Sequence, residues 1–230
     1  MKAKVVQRRA AKAVRRKRRA AIKERHAGNP ASAGRARRWA TAPIHACLVQ
    51  AGLFERGLGM VVLARQSGTG EVAVAAFLVD VFCRGVKDVF VERIDLEEFG
   101  DFVGAMGIAA PMEAVQPCYA RKLLEEAARY ADALGFRPHR DFTTAEALFG
   151  EISADACDTV FGFGHDGKPC YIPGPNESPA KIRNTLQRLR NRLGDSGFNY
   201  IVPVDEIDLL DEDLWGETLL DEMSPSEIPF

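Results

Sequence analysis

The chain has 230 residues, of which 47% are hydrophobic and 27% are charged, and its formal net charge is −1. This length and apolar content allow one sizeable folded domain with tails and a real core. No apolar run approaches the roughly 18–20 residues of a membrane helix, so we predict no membrane segment. The five cysteines are dispersed and form no CxxC pair, which argues against a secreted disulfide framework and favours a cytoplasmic location.

The small net charge conceals a strong separation of charge along the chain. Residues 1–40 carry fifteen Lys and Arg and one acid, Glu24, for a net charge of +14, so the other 190 residues sum to −15. Residues 205–230 contain ten Asp and Glu and no Lys or Arg. Such asymmetry indicates polyanion binding at the basic end. We therefore predict a basic arm with its linker (1–40), a globular domain (41–204) and an acidic tail (205–230).

The basic arm has the composition of a nucleic-acid-binding segment. It is rich in helix formers, but its like charges repel at helical spacing, so we predict disorder when free and helix on binding. Each Lys or Arg that neutralises a phosphate releases a counterion, which predicts salt-dependent binding of RNA or the ribosome. RNA is favoured over DNA because the arm resembles the extensions that thread into ribosomal RNA. The candidate contact residues are Arg8, Arg9, Lys12, Arg15, Arg16, Lys17, Arg18, Arg19, Lys23, Arg25, Arg37, Arg38 and Trp39, the last stacking on an unpaired base.

The hydrophobic pattern of the middle of the chain predicts an α+β domain. Strands are predicted at 44–49, 60–66 and 198–204, across 71–94 with a break at Arg84-Gly85, and in a hairpin over 158–172. Helices are predicted at 95–106 capped by Asp95, at 118–136, at 143–150 capped by Thr143, and at 177–194 capped by Ser178. This order favours a mainly antiparallel sheet with helices packed on one face.

Four segments of this domain resemble a widespread uncharacterised bacterial family. They are "IHACLV", "FLVDVFCRGVKDVF", "ARKLLEEAARYADALGFRPHRDF" and "FGHDGKPCYIPGPNESPAKI", and the resemblance covers residues 44–204. Members are sometimes joined to a short Cys-rich zinc motif, which this chain lacks. The resemblance implies one folding unit and no particular activity.

A carboxylate inside the apolar run "AFLVDVF" suggests a second function. Asp80 is costly there unless it is paired or bound to a metal. With Asp88 and Asp141 it would hold Mg²⁺ for phosphodiester hydrolysis, with His139 or Lys87 nearby, which makes a metal-dependent nuclease the alternative to a binding protein. The competing interpretation pairs Asp80 with Lys87 or Arg84 and uses His139 to satisfy a loop carbonyl.

Two further patterns have open interpretations. His45 and Cys47 would point the same way on a strand, but two ligands do not make a zinc site. Helix 177–194 presents either a second phosphate-contacting face or an ordinary solvated face through Lys181, Arg183, Arg188, Arg190 and Arg192, opposite a core-facing stripe of Ile182, Leu186, Leu189 and Leu193.

The acidic tail makes a protein–protein adaptor the third alternative. It places Leu209, Leu210, Leu214, Trp215, Leu219 and Leu220 at helical spacing. These residues would dock the tail on a protein partner or on its own domain, or fold it back on the basic arm, where it competes with nucleic acid. The chain has no P-loop, GxSxG or HExxH motif and no GxGxxG after a strand, so we predict no catalytic residue, metal ligand or cofactor.

Overall fold

The computed structural model describes residues 38–174 and 177–201. The strands are β1 (Ile44–Gln50), β2 (Leu58–Gln66), β3 (Val72–Asp80), β4 (Gly85–Ile94), β5 (Met112–Ala114), β6 (Cys170–Tyr171) and β7 (Asn199–Tyr200). The helices are α1 (Leu53–Arg56), α2 (Leu96–Gly107), α3 (Pro117–Ala133), α4 (Phe142–Glu146) and α5 (Pro179–Leu193), with 3₁₀ turns at Ala147–Phe149 and Ala154–Ala156. The predicted α+β class is confirmed.

The main sheet has five antiparallel strands in the order β4-β3-β2-β1-β5. Its central strands, β2 and β3, are apolar at nearly every position, so both faces of the sheet are buried. Successive residues of β2 alternate between the two sides. Val61 and Leu63 belong to one core cluster, and Val62 and Ala64 belong to another.

Helices cover both faces of this sheet. Helix α2 packs Phe99 against the cluster that contains Val62. Helix α3 packs Leu123 and Ala127 against the cluster that contains Val61. The sequence predicted helices on one face only; the structure differs because a strand that is apolar on both sides needs cover on both sides.

The connection between β3 and β4 brings the sheet close to α3. The predicted break at Arg84-Gly85 is the start of β4, and Gly85 adopts a left-handed φ of +60°. A Cβ atom at this position would lie 2.5 Å from the Ala127 carbonyl oxygen of α3. Glycine is required here because no larger residue fits between the strand and the helix.

Several predicted helix ends are confirmed, and two predictions are wrong. Asp95 forms a capping box with Glu98, and Ser178 caps α5 by accepting a hydrogen bond from the Lys181 amide. Thr143 does not cap α4, because that helix begins at Phe142, after Asp141. The hairpin over 158–172 is reduced to the His165–Lys168 bridge, because β6 instead pairs in parallel with β7.

A second apolar cluster forms where α5 packs on the end of α3. It contains Tyr171 of β6, Ala131 of α3 and Leu189 of α5, all fully buried. This cluster fixes the position of α5 relative to the sheet. Among the helices of residues 38–174 and 177–201, none has the length and apolar character to cross a membrane.

Candidate nucleic-acid interface

Most of the predicted arm lies outside the described residues. This applies to Arg8, Arg9, Lys12, Arg15, Arg16, Lys17, Arg18, Arg19, Lys23, Arg25 and Arg37, and also to the acidic tail. The structure describes Arg38, which is exposed, and Trp39, which is half-buried against the main core cluster. Trp39 therefore attaches the arm to the domain. Its stacking on a base stays a prediction and would use only the part of the ring that the core leaves open.

A buried arginine fastens the chain where the arm joins the domain. Arg65 of β2 is 6% exposed, and its guanidinium donates to three carbonyl oxygens. The Nη1 atom binds Ala42 at 2.5 Å, Nε binds Leu148 at 2.7 Å and Nη2 binds Phe149 at 2.9 Å. The first residues of the domain are thus tied both to the sheet and to the 3₁₀ turn Ala147–Phe149.

Helix α5 carries the basic residues of the described domain in their densest arrangement. Residues 178–194 contain no Asp or Glu. The name basic face of α5 is used here for three exposed residues that share one side of the helix, Lys181, Arg188 and Arg192. Arg183 and Arg190 lie on the opposite side and are half-buried, and Arg190 is 2.5 Å from Asp195. The predicted core-facing stripe is confirmed: Ile182, Leu186 and Leu189 are buried, and Leu193 is half-buried. The helix therefore lies with its apolar side in the second cluster and its charged residues away from it.

Two arginines of this face are held by the carboxyl end of α3. The Nη1 atom of Arg188 donates to the Gly135 carbonyl at 3.2 Å, and the Nε atom of Arg192 donates to the Ala133 carbonyl at 3.0 Å. The Arg188 guanidinium also lies 5.4 Å from the centre of the Phe136 ring. Both groups meet the negative end of the α3 dipole and are oriented before any ligand binds. Both remain exposed.

A nearly buried carboxylate anchors the start of α5 to the β3–β4 connection. The Glu177 side chain is 8% exposed and lies 2.5 Å from Nη1 of Arg84 and 3.3 Å from Nζ of Lys181. It also accepts a 2.5 Å hydrogen bond from the Tyr171 hydroxyl. Burial opposes ionisation, but the Tyr171 hydrogen bond and the nearby cations lower the pKa of Glu177 to about 2.

Asp80 forms a separate buried ion pair. Its carboxylate accepts hydrogen bonds from the Phe82 and Cys83 amides, and Nζ of Lys87 lies 3.8 Å away. Burial raises the pKa of Asp80, and the Lys87 charge opposes that rise. Burial likewise lowers the pKa of Lys87, with Asp80 opposing. The structure thus shows the pairing with Lys87 that was the alternative to metal binding.

The three carboxylates of the nuclease alternative are not brought together. Asp88 is exposed, and its carboxylate lies 3.8 Å from His139, which is also 3.8 Å from Asp141. Asp80 is instead enclosed with Lys87. The ring of His139 accepts a hydrogen bond from the Asp141 amide and does not bind a loop carbonyl. Within the described part of the chain, no three His, Cys, Asp or Glu residues are placed to hold a metal ion.

His45 and Cys47 face opposite sides of the sheet, so the prediction that they point the same way is wrong. A register irregularity between Ile44 and Ala46 displaces His45, whose ring packs 5.1 Å from Phe99 on the α2 side. Cys47 lies in the core cluster on the α3 side, where burial raises the pKa of its thiol to about 12.

Two groups that position the interface have little signal in the sequence. Glu177 directly precedes the Ser178 cap, and its partner Arg84 is 93 residues away in the chain. One sequence feature points to Arg65: it is a charged residue at the end of the apolar run "MVVLAR". A charge in such a strand needs partners, but the sequence does not say which carbonyls supply them.

Comparison with known proteins gives no relative. The chain matches no protein-family model, no curated protein and no solved structure. The family resemblance of residues 44–204 therefore stays a prediction.

Proposed function

We propose that this chain is a cytoplasmic nucleic-acid-binding protein whose basic arm and basic face of α5 contact the phosphates of RNA, including ribosomal RNA. The observation that carries the proposal is the segregation of charge, because residues 1–40 have a net charge of +14 in a chain of net charge −1. A neutral partner surface would give such a concentration of positive charge no electrostatic partner. Phosphates, which carry one charge per nucleotide, do match it.

The basic face of α5 supports the proposal from the described domain. Its arginines are fork-shaped donors, and phosphate oxygens are acceptors that match this geometry. Arg188 and Arg192 are four residues apart, so their Cα atoms are separated by about 6 Å along the helix axis. Because carbonyls of α3 already orient them, less side-chain entropy is lost when a phosphate binds.

The two basic elements have different roles in this proposal. The arm supplies many contacts and most of the affinity, without reading sequence. The face of α5 is fixed to the domain through Glu177 and the second apolar cluster. It therefore supplies a contact of defined shape and sets the orientation of the domain on the RNA.

The test is binding of a fluorescent single-stranded RNA to the full-length chain, measured by anisotropy. The variant replaces Arg15, Arg16, Lys17, Arg18 and Arg19 by Gln. We expect its affinity to be reduced by at least about tenfold at 100 mM salt, since several phosphate contacts are lost. The matched control replaces Arg56 and Arg93, exposed basic residues elsewhere on the domain, by Gln. Equal affinity of all three proteins would overturn the proposal.

A second assay with the same RNA separates binding from hydrolysis. The RNA is incubated with the full-length chain and 5 mM Mg²⁺ and then analysed on a denaturing gel. Because Asp80 is enclosed with Lys87, we expect the RNA to remain intact. Cleavage that requires Mg²⁺ and disappears in Asp88→Asn would establish a nuclease instead.

A further inference from the structure

Two thiols meet where α3 begins. Cys118 is the second residue of α3, directly after Pro117, and it is half-buried. Cys157 follows the 3₁₀ turn Ala154–Ala156, which packs against the same helix. The Lys122 ammonium, one turn after Cys118 in α3, donates to the Cys157 carbonyl at 2.8 Å, which places residue 157 beside the turn that carries Cys118. Elements that are 39 residues apart in the chain thus bring two cysteines side by side.

The surroundings of Cys157 favour the ionised thiol. Interactions with the Thr159 hydroxyl and amide, and then the Lys122 charge and the Cys118 thiol, hold the pKa of Cys157 below its usual value. Cys118 lies in the first turn of α3.

Another pair of neighbouring cysteines lacks these features. Cys83 and Cys170 influence each other electrostatically and are 0% and 3% exposed, whereas Cys157 is 8% exposed and Cys118 is half-buried. Burial, and then the nearby Asp80 carboxylate, raises the pKa of both thiols. The two pairs can therefore be compared within one chain, because Cys118 and Cys157 lie near the Lys122 cation and Cys83 and Cys170 lie near the Asp80 anion.

We propose that Cys118 and Cys157 form a peroxide-oxidisable dithiol that closes to an intramolecular disulfide. The Cys157 thiolate attacks one oxygen of hydrogen peroxide; the O–O bond breaks, hydroxide leaves, and Cys157 becomes a sulfenic acid. The Cys118 thiol then attacks that sulfur, and an S–S bond of about 2.05 Å forms while water leaves. Two thiols are oxidised, and one peroxide is reduced to two waters once the hydroxide takes up the proton that Cys157 released on ionisation.

The disulfide would fasten the first turn of α3 to the segment that follows the 3₁₀ turn. That segment is irregular from residue 157 to residue 164 and includes Phe161, which packs on Tyr119 of α3 at a ring distance of 5.0 Å. Oxidation would thus change the mobility of a partly exposed aromatic surface. In a reducing compartment, disulfides of this kind are transient and redox-sensing.

The test treats the reduced full-length protein with hydrogen peroxide near pH 7.5, followed by non-reducing peptide mapping by mass spectrometry. We expect a peptide pair linked through Cys118 and Cys157 and a loss of two hydrogens from the intact mass. Cys83 and Cys170, in the same sample, should remain reduced, with modification at least about tenfold slower because little thiolate is present. A dominant Cys83–Cys170 link, or no Cys118–Cys157 link while other cysteines oxidise, would overturn the proposal.

Single variants test the order of the two steps. In Cys118→Ser, the sulfenic acid at Cys157 has no resolving thiol, so a 1,3-diketone probe should label Cys157. In Cys157→Ser, Cys118 should react at least about tenfold more slowly than Cys157 does in Cys118→Ser. Circular dichroism of each variant verifies folding. Equal labelling of both single variants would contradict the assignment of Cys157 as the attacking thiol.

Discussion

The Glu177 carboxylate, next to the first turn of α5, lies 2.5 Å from the guanidinium of Arg84 in the β3–β4 connection. This contact, together with the Tyr171 hydroxyl, fixes the start of the basic helix to the main sheet. The geometry of the proposed RNA-binding face therefore depends on a nearly buried carboxylate that is not part of that face.

Replacement of Glu177 by Gln should destabilise the domain. The change removes the charge but keeps the size, so the nearly buried Arg84 loses its ionic partner. We expect the free energy of unfolding to fall by about 2–4 kcal/mol, as measured by urea titration. Glu113→Gln on the exposed edge of β5 is the control and should stay within about 0.5 kcal/mol of the parent. Equal effects of the two changes would show that the Glu177 contact is not structural.

The same residue should make stability depend on pH in the acid range. Its pKa is lowered from 4.5 to about 2 on folding, so the stabilisation is present above pH 4.5. It is lost as the pH falls from 4.5 through about 2, because the unfolded chain binds the proton first. The stability difference between the parent and Glu177→Gln should therefore shrink between pH 5 and pH 2.5. A difference that is constant over that range would contradict this account.

Arg65 should stabilise the region where the arm joins the domain. Arg65→Met leaves the carbonyls of Ala42, Leu148 and Phe149 without their donor. We expect a loss of about 3 kcal/mol or more in the free energy of unfolding, because these carbonyls are partly removed from water. The matched control is Arg93→Met. Arg93 is 52% exposed and 3.8 Å from Glu71, so its loss should cost less than about 1 kcal/mol.

Two glycines should respond to alanine with opposite signs. In Gly85→Ala the new methyl group would meet the Ala127 carbonyl of α3, and the left-handed φ adds strain. We expect destabilisation by about 2–4 kcal/mol in thermal or urea unfolding. Gly100→Ala lies in the exposed interior of α2, where a methyl group meets nothing within 4 Å. It should stabilise the domain by about 0.5–1 kcal/mol.

Local signals in the sequence were sufficient for the long elements. Asp95, Ser178 and Gly194 mark helix ends because their effects act within one turn of the chain. The short elements had no such signal. Helix α1 has four residues between Gly52 and Gly57, and β5 has three, so tertiary contacts define both.

The sequence predicted only those features of the candidate site that depend on residues close together in the chain. The charge of helix 177–194 and its buried stripe are properties of one amphipathic segment, and the structure confirms the stripe. The Arg84–Glu177 contact spans 93 residues and has no local pattern. The orientation of His45 depended on one strand irregularity, which reverses the face of a side chain.

The basic face of α5 should contribute to RNA affinity through charge. Arg188→Gln with Arg192→Gln in the full-length chain should weaken RNA binding by about threefold to thirtyfold, since two phosphate contacts are lost. Arg188→Lys with Arg192→Lys is the control, because it keeps both charges while it alters the same contacts to α3. Similar weakening in both double variants would assign the effect to structure, and no weakening in either would restrict binding to the arm.

The most direct test of the central claim is the salt dependence of RNA binding. The logarithm of the association constant is measured against the logarithm of salt concentration for the full-length chain and for the chain with five Gln at residues 15–19. If the arm neutralises phosphates, the slope of the variant should be smaller in magnitude by up to about 3.5, since each contact to single-stranded RNA contributes about 0.7. Identical slopes, or no salt dependence in the parent, would contradict the account.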